Sequence, residues 1–329
     1  MTARKLGRRE VLGILGGTAL AGFVPAARAQ DASAPLTLGI QNTSWGVVGM
    51  VAEGEQTFKK HGANVKVLLF DTGKTTRDAM IAGRVDIGVL GATPFIIGAA
   101  KGEMLGIGMS MYAGRTNAVV AAKDRGIKTV ADLKGRKVAS QLGSATDYVF
   151  ENKILPKYGL KKGDVQIVNT QFQNQVSALV SKSVDAFAGV EPFPSVAEVD
   201  GLGTVLLDYS EFDMVPVILA ANRPVLEHKH AAAVAFFRGW LDAVDIMKKD
   251  PPRAAKIVWN HFKSQGYEVK EAVIERMIGK LEIDPNYSPK LSAYLTDESK
   301  ILASQHKIAS VPDWGKLLDT TVMKAAEKA

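Results

Sequence analysis

Hydrophobic residues along the chain occur either as short continuous runs or with helical spacing, and the two patterns alternate. Over residues 36–100 the predicted strands are Leu36–Ile40, Val65–Phe70 and Val85–Leu90, and the predicted helices between and after them are Val47–Lys60, Thr75–Ala82 and Thr93–Ala100. Short apolar runs of this kind are typical of parallel strands whose crossover helices cover both faces of the sheet. The first third of the chain therefore predicts a mostly parallel α/β lobe.

A second α/β run follows. Its predicted strands are Asn117–Lys123, Lys137–Ser140, Val165–Asn169, Asp185–Gly189 and Thr204–Leu207, and its predicted helices are Val130–Leu133, Ala145–Lys157 and Gln173–Val180. After an apolar strand at Val215–Ala221 the pattern is helical, with predicted helices at Ala231–Lys248, from Pro251, at Lys270–Leu281, at Pro289–Ser304 and at Trp314–Lys324. The order predicts that the chain leaves one lobe, builds a second and returns.

The lobe boundaries follow from this order. We expect lobe one to comprise residues 30–122 and 218–329 and lobe two to comprise residues 123–217. Two crossover strands would join them, near Tyr112–Asn117 and Phe212–Val217. The helical C-terminal tail would lie on lobe one.

The N-terminus has the pattern of an export signal. Arg4, Lys5, Arg8 and Arg9 precede the apolar run Val11–Val24, and small residues follow at Ala27-Arg28-Ala29. The apolar run is shorter than the roughly 20 residues that a membrane span needs. We therefore predict that residues 1–29 are removed and that the protein works in the periplasm. The adjacent arginines indicate the twin-arginine type, and an ordinary secretory signal is the alternative.

Charge and composition exclude several classes of function. The full chain carries a formal net charge of +7 and no cysteine. Loss of the predicted signal would leave 36 basic and 33 acidic residues, a net charge of about +3, with the basic residues interspersed. This pattern does not support a nucleic-acid footprint. Without cysteine there is no disulfide, no thiolate nucleophile and no thiolate ligand for a metal.

Four short motifs, in order along the chain, resemble those of a known family. They are Val130–Val138 followed by Gly143-Ser144, the strand entries Arg84–Gly88 and Ser183–Phe187, and the strand-to-helix turn Val190–Phe193. Together they resemble the solute-binding proteins of ABC importers, and most closely the branch that binds sulfonates, taurine, nitrate and pyrimidine vitamin precursors. The resemblance implies a two-lobed type 2 periplasmic-binding-protein fold. It also implies a monomer without cofactor or catalysis, whose partners are a small solute and an ABC permease with its ATPase at the inner membrane.

A binding site can be predicted from the order of elements alone. In open α/β sheets a ligand lies beyond the carboxyl ends of the strands, where loops enter helices whose free N–H groups favour an anion or another strong acceptor. The residues that we expect to bind the solute lie in such loops: Asn42, Ser44, Trp45, Thr93, Asn117, Ser144, Thr146, Asp147, Glu191 and Phe193. Three of them, Ser44, Thr93 and Ser144, are equally typical helix caps. Trp45 would be an apolar wall of the site or a packing residue.

One departure from the family bears on the solute. Sulfonate-binding relatives tend to carry a histidine near Asp147, and this chain does not. The departure allows a solute with its own N–H or amine, for which Asp147 and Glu191 would be acceptors. A pyrimidine or vitamin precursor and an aromatic acid are therefore alternatives to a sulfonate or taurine-like solute.

Other chemical motifs are incomplete. Gly73-Lys74-Thr75 lacks the earlier glycine of a phosphate-binding loop, because residue 68 is leucine, and no dinucleotide fingerprint or nucleophile elbow is present. His228 and His230 are spaced like solvated surface residues rather than metal ligands. We predict no catalytic residue and no metal. The rival functions are an enzyme on the same scaffold, such as a cysteine-dependent desulfinase or a histidine-rich pyrimidine-forming relative, and a periplasmic sensor subunit.

Overall fold

The computed structural model describes residues 31–328, and the predicted export signal lies outside them. The strands in this range are β1 (Leu36–Gln41), β2 (Val65–Phe70), β3 (Ile87–Gly91), β4 (Met104–Tyr112), β5 (Asn117–Ala122), β6 (Lys137–Ser140), β7 (Gln166–Asn169), β8 (Ala186–Val190), β9 (Gly203–Asp208) and β10 (Pro216–Asn222). They form two five-stranded sheets with the orders β2-β1-β3-β10-β4 and β7-β6-β8-β5-β9.

Helices cover the sheets. Those of the first half are α1 (Val47–Gly54), α2 (Thr57–Lys60), α3 (Gly73–Ile81), α4 (Ala92–Ala99), α5 (Ala145–Val149), α6 (Leu155–Lys157), α7 (Gln175–Val180) and α8 (Phe193–Val199). Those of the C-terminal tail are α9 (Arg223–His228), α10 (His230–Lys249), α11 (Pro251–Ser264), α12 (Glu271–Ile278), α13 (Leu291–Ser304), α14 (Trp314–Leu317) and α15 (Thr321–Glu327). A π-helical turn, Phe150–Ile154, joins α5 to α6.

Each sheet contains one strand that runs against the other four. In the first sheet β10 is antiparallel to both β3 and β4, and in the second sheet β5 is antiparallel to both β8 and β9. These are the two strands that arrive from the other sheet. The other four strands of each sheet have their carboxyl ends toward the neighbouring lobe, so a strand that enters from that lobe runs antiparallel to them. We predicted mostly parallel sheets, and each sheet is mixed, with four parallel strands and one antiparallel strand.

The strand exchange defines the two lobes, one around each sheet. Short connections, residues 113–116 and 209–215, join them. Strand β5 pairs with β8 and β9 in lobe two, whereas the sequence-based boundary at residue 122 placed it in lobe one. The apolar pattern of β5 identifies a buried strand but carries no information on which sheet it joins. The C-terminal helices pack on lobe one, where α10 contacts α1, α2 and α15 and where α13 contacts α4.

Two helices that we expected to be continuous are broken. The predicted helix Val47–Lys60 breaks at Gln56, whose φ is +55°, and α2 turns to pack against α10, where Thr57 Oγ1 donates to the carbonyl of Gly239 at 2.6 Å. The predicted helix Trp314–Lys324 breaks because the amide of Asp319 donates to the carbonyl of Gly106 on the edge strand β4 at 2.8 Å. Tertiary hydrogen bonds override helical periodicity at both places. No helix within residues 31–328 is long and apolar enough to cross a membrane.

Candidate functional site

The carboxyl ends of the strands in the two lobes face each other, and the lobes touch there. Gly91, at the end of β3, approaches Trp45 of lobe one and Ala145, the first residue of α5 in lobe two. A Cβ atom at position 91 would lie 2.8 Å from Ala145 Cβ and 2.9 Å from Trp45 Cζ3. Only glycine allows this approach, so the two lobes are in contact at these three residues. We call the inter-lobe region around them the cleft.

The loop after β1 reaches across the cleft. The amide of Ser44 donates to the carbonyl of Glu191 in lobe two at 2.9 Å. Thr43, and not Ser44, is the cap of the 3-10 turn that follows, because its Oγ1 accepts from the amide of Trp45. Ser44 Oγ is buried and has no hydrogen-bond partner within residues 31–328. The hydroxyl that could have been a cap is therefore free to bind a ligand.

A set of hydrogen bonds connects the side chains on the lobe-two side of the cleft. These side chains are Ser144, Asp147, Thr146 and Asn117. Ser144 Oγ caps α5 by accepting from the amide of Asp147 at 3.0 Å. The Asp147 carboxylate accepts from Ser140 Oγ at 2.7 Å and from the amide of Gly143 at 3.0 Å. Thr146 Oγ1 donates to Asn117 Oδ1 at 2.6 Å. Burial raises the pKa of Asp147, whereas the hydrogen bonds from Ser140 and from the amide of Gly143 lower it. These four side chains are already partnered and hold the loop in place.

Glu191 is likewise engaged. Its carboxylate accepts from Ser195 Oγ at 2.9 Å, from the amide of Ser195 at 3.2 Å and from Lys280 Nζ of lobe one at 2.5 Å. Phe193 is buried at the start of α8. Glu191, which we predicted as an acceptor for the solute, therefore also bridges the two lobes.

Five buried polar atoms near the contact between the lobes have no partner within residues 31–328. They are Asn42 Oδ1, Ser44 Oγ, Trp45 Nε1, Tyr148 OH and Glu298 Oε2. Buried polar groups in native proteins are nearly always hydrogen-bonded, because an unpaired one costs about 1–3 kcal/mol. Single unpartnered atoms also occur elsewhere, for example at Trp240 and Trp314. The five named atoms belong to residues at or next to the inter-lobe contact.

Glu298 was not among the residues expected from the sequence. It lies on α13 and is 2% exposed, and its Oε1 accepts a hydrogen bond of 2.5 Å from Oγ1 of Thr93, a residue 205 positions earlier in the chain. The signal that could have revealed it is its position on the apolar face of α13, which carries Leu291, Leu295 and Leu302. A carboxylate within such an apolar stripe is buried for a reason other than packing.

The surroundings of Glu298 are acidic. Tyr294, one turn earlier on α13, donates to Asp213 Oδ1 at 2.8 Å, and Lys153 pairs with the same carboxylate and lies over the Tyr294 ring. Burial raises the pKa of Glu298 to about 7, and the charge of Asp213 adds to the rise. Hydrogen bonds from Thr93 and Tyr294 and the charge of Lys153 oppose it. Burial, with Glu298 and Asp213, also raises the pKa of Tyr148 far above its usual range.

Within residues 31–328 no group of three or more histidine, aspartate or glutamate side chains is arranged to hold a metal ion. The buried carboxylates are satisfied instead by hydroxyls, amides and lysines, as at Asp147 and Glu191.

Solved structures with this architecture define the class. The periplasmic aliphatic sulphonate binding protein SsuA from Escherichia coli superimposes with a TM-score of 0.74 at 24% identity, over 87% of this chain and 92% of that one. The periplasmic nitrate-binding protein NrtA from Synechocystis PCC 6803 superimposes with a TM-score of 0.73 at 16% identity, over 89% and 88% of the two chains. The protein therefore has the two-lobed periplasmic-binding-protein fold.

The chain belongs to the NMT1/THI5-like family, whose model matches residues 48–254. An Escherichia coli protein named for binding aliphatic sulfonates is 30% identical over 220 residues, 65% of this chain and 68% of that protein. The taurine-binding periplasmic protein of the same species is 29% identical over 220 residues, 63% of this chain and 67% of that protein. The resemblance noted in the sequence motifs is confirmed.

Proposed function

We propose that this protein is the periplasmic solute-binding component of an ABC importer and that it holds a small organic solute between its lobes. The observation that carries the proposal is the group of unpartnered buried atoms at the inter-lobe contact, contributed by lobe one through Ser44, Trp45 and Glu298 and by lobe two through Tyr148. Two sequence relatives are named for binding aliphatic sulfonates and taurine, and these names support the same class of function.

The mechanism that follows is closure around the solute. A solute that contacts both lobes binds the closed form more tightly than the open form, and this difference in affinity shifts the equilibrium towards closure. The short connections 113–116 and 209–215 would absorb the rotation. The permease with its ATPase would then recognise the closed pair of lobes, and the protein would act as a monomer.

We assign the solute-binding role to two sets of residues. Asn42, Ser44, Trp45 and Tyr148 would contact the solute directly, because each has a buried polar atom without a partner. The others that we expected from the sequence would shape the site, because their polar atoms already have hydrogen-bond partners within the protein or, for Phe193, because the side chain is apolar and buried. They are Thr93, Asn117, Ser144, Thr146, Asp147, Glu191 and Phe193.

An enzyme on the same scaffold is the second candidate. The structure of DszB in complex with biphenyl-2-sulfinic acid superimposes with a TM-score of 0.68 at 13% identity, a likeness of fold alone. This chain has no cysteine to act as a nucleophile. We therefore propose binding without turnover.

The experiment is a thermal-shift screen of the purified mature protein against a broad metabolite library, followed by small-angle scattering with each stabilising compound. A solute at 100 times its Kd adds about 2.7 kcal/mol to the free energy of unfolding. We expect stabilisation, a smaller radius of gyration, and recovery of the compound unchanged after incubation. Chemical conversion of the compound would favour the enzyme, and a library without any stabilising compound would count against a solute-binding role.

A further inference from the structure

The second connection between the lobes contains a strained residue. Val215 has a φ of +43°, in the left-handed region that a β-branched residue rarely adopts, and its side chain is fully buried. Both of its backbone polar groups are held in place. Its amide donates to Asp213 Oδ1 at 2.6 Å, and its carbonyl accepts from the amide of Ala113 in the first connection at 2.9 Å. The arrangement of the lobes in this structure therefore costs free energy in the backbone of the connection, and such a conformation persists only where other contacts hold it.

The two connections pack against each other as one unit. The amide of Tyr209 donates to the carbonyl of Gly114 at 3.1 Å. A Cβ atom at position 114 would lie 2.7 Å from the carbonyl oxygen of Asp213, so the two backbones are in direct contact. A rotation of the lobes that changes one connection therefore also changes the other, and a group that fixes residues 209–215 fixes the pair.

Asp213 joins this unit to both lobes, and its side chain has no exposed surface. Oδ1 accepts from the hydroxyl of Tyr294 on α13 of lobe one at 2.8 Å, and Oδ2 is paired with Lys153 of lobe two. The Lys153 ammonium also lies over the Tyr294 ring, 4.3 Å from its centre. Lobe one, lobe two and the connection thus meet at three side chains, Asp213, Tyr294 and Lys153, which we call the hinge clamp.

The hinge clamp is connected to the cleft through one helix. Lys153 lies on the π-helical turn Phe150–Ile154, which continues α5, and α5 begins at Ala145 in the inter-lobe contact. π-Helical turns are frequent at functional positions. The hydroxyl of Tyr209 donates to the carbonyl of Thr146 on α5 at 3.4 Å, so the connection contacts the same helix a second time. A movement of α5 relative to lobe one would therefore act directly on the hinge clamp.

We propose that the hinge clamp is a conformational device that holds the lobes together in the absence of a solute. The buried Asp213 carboxylate stabilises the strained connection in the lobe arrangement of this structure. Separation of the lobes would break the link through Lys153 and allow Val215 to relax. The proposal rests on the proposed rotation of the lobes, but not on the identity of any solute, because it concerns the ligand-free protein.

The test measures the distance between the lobes in the ligand-free mature protein, which is denatured, dialysed and refolded to remove any co-purified solute. The chain has no cysteine, so Lys66→Cys on β2 and Lys134→Cys, three residues before β6, would carry a unique pair of spin labels. Both positions are exposed, one on each lobe. Pulsed electron paramagnetic resonance then gives the populations of the lobe arrangements.

Two variants break the hinge clamp from opposite sides. In Asp213→Asn the amide oxygen would keep the two hydrogen bonds that Oδ1 accepts, and the ion pair with Lys153 is lost without leaving a buried carboxylate unpaired. Lys153→Met removes the same ion pair from lobe two. Glu151→Gln and Lys162→Met are the matched controls, because these two residues pair with each other and both belong to lobe two.

We expect Asp213→Asn and Lys153→Met each to raise the population with separated lobes by about threefold or more, and both controls to leave it unchanged. The double variant should resemble Asp213→Asn alone, since both changes remove one interaction. If Lys153→Met fails to fold, Asp213→Asn gives the result by itself.

Folded Asp213→Asn protein with the wild-type distance distribution, or controls that shift the distribution equally, would overturn the hinge clamp and leave the solute-binding role intact. A distribution that changes neither in the variants nor with any compound that stabilises the protein would show that the lobes do not rotate. That result would count against closure in the proposed function, and the hinge clamp would fail with it.

Discussion

Lys280 Nζ of lobe one lies 2.5 Å from Glu191 Oε1 of lobe two, and the Glu191 side chain is only 1% exposed. Two further ion pairs connect the same faces, Arg276 with Glu198 at 2.5 Å and Lys270 with Asp200 at 2.7 Å. Both of these are much more exposed to solvent. The Lys280 pair is therefore the one whose loss leaves a buried charge.

Replacing Lys280 by Met should weaken the closed form. The Glu191 carboxylate would keep its hydrogen bonds from Ser195 but lose its counter-charge, and we expect a loss of about 1–3 kcal/mol of stability. Thermal unfolding and small-angle scattering check this, with a larger radius of gyration expected. Lys270→Met is the control, since its exposed pair is worth at most about 1 kcal/mol. Equal behaviour of the two variants would contradict a special role for Lys280.

Gly91→Ala should prevent full closure. The new Cβ would lie 2.8 Å from Ala145 Cβ, so the lobes must separate for it to fit. We expect weaker binding of any solute found in the screen. We also expect some loss of stability in lobe one, because the same Cβ would lie 2.9 Å from Trp45 Cζ3. Gly279→Ala is the matched control, because the atoms nearest to a Cβ there, the carbonyl oxygens of Arg276 and Glu275, lie at an ordinary 3.6 Å. Calorimetric titration of both variants measures the affinity. An affinity of Gly91→Ala equal to that of the wild type would show that Gly91 and Ala145 are not in close contact when the solute is bound.

Ser44 and Ser144 should respond to alanine in opposite ways. Ser144 caps α5, so Ser144→Ala should lower the free energy of unfolding by about 1 kcal/mol and change affinity little. Ser44 Oγ has no protein partner among the described residues, so Ser44→Ala should leave the ligand-free stability unchanged and weaken binding by roughly 1–3 kcal/mol. Melting curves and titrations of both variants separate the roles. A loss of stability in Ser44→Ala without a loss of affinity would remove it from the site.

The stability of the ligand-free protein should depend on the ionisation of Glu298. Its pKa is raised from 4.5 to about 7 in the folded protein, so the folded state binds the proton more tightly than the unfolded state. The resulting stabilisation is complete below the unfolded pKa and is lost as the pH rises through about 7. We expect the melting temperature of the wild type to fall over this window relative to that of Glu298→Gln. Parallel pH profiles of the two proteins would show that Glu298 titrates normally.

Export can be tested on the intact gene product. We expect periplasmic protein to begin at Gln30, because Ala27 and Ala29 are the small residues that a signal peptidase requires. Replacing Arg8-Arg9 by Lys-Lys should block export by the twin-arginine route. N-terminal sequencing and fractionation provide the measurements. Periplasmic material that starts at Met1 or Thr2 would contradict cleavage, and normal export of the Lys-Lys variant would indicate the ordinary secretory route.

Local patterns in the sequence were enough to predict the elements and the loops of the site. Strand and helix periodicity depends on neighbouring residues, so the alternation over residues 36–100 and the helical tail could be recognised without a structure. The caps are local too, as the bond between Ser144 and the amide of Asp147 illustrates. The carboxyl ends of parallel strands meet at one edge of a sheet, and the loops after β1 and β3 do lie at the inter-lobe contact.

Only the tertiary structure decided which of these residues remain free to bind a solute. Glu298 meets Thr93 across 205 positions, and Lys280 reaches Glu191 across 89. Periodicity carries no information about such contacts, because they depend on how the C-terminal helices pack on lobe one and on how the lobes close. The sequence by itself determined the two-lobed α/β plan and the loops in which we predict the site. The packing of distant segments determined that Glu191 is paired with a lysine and that Glu298 is buried against Thr93.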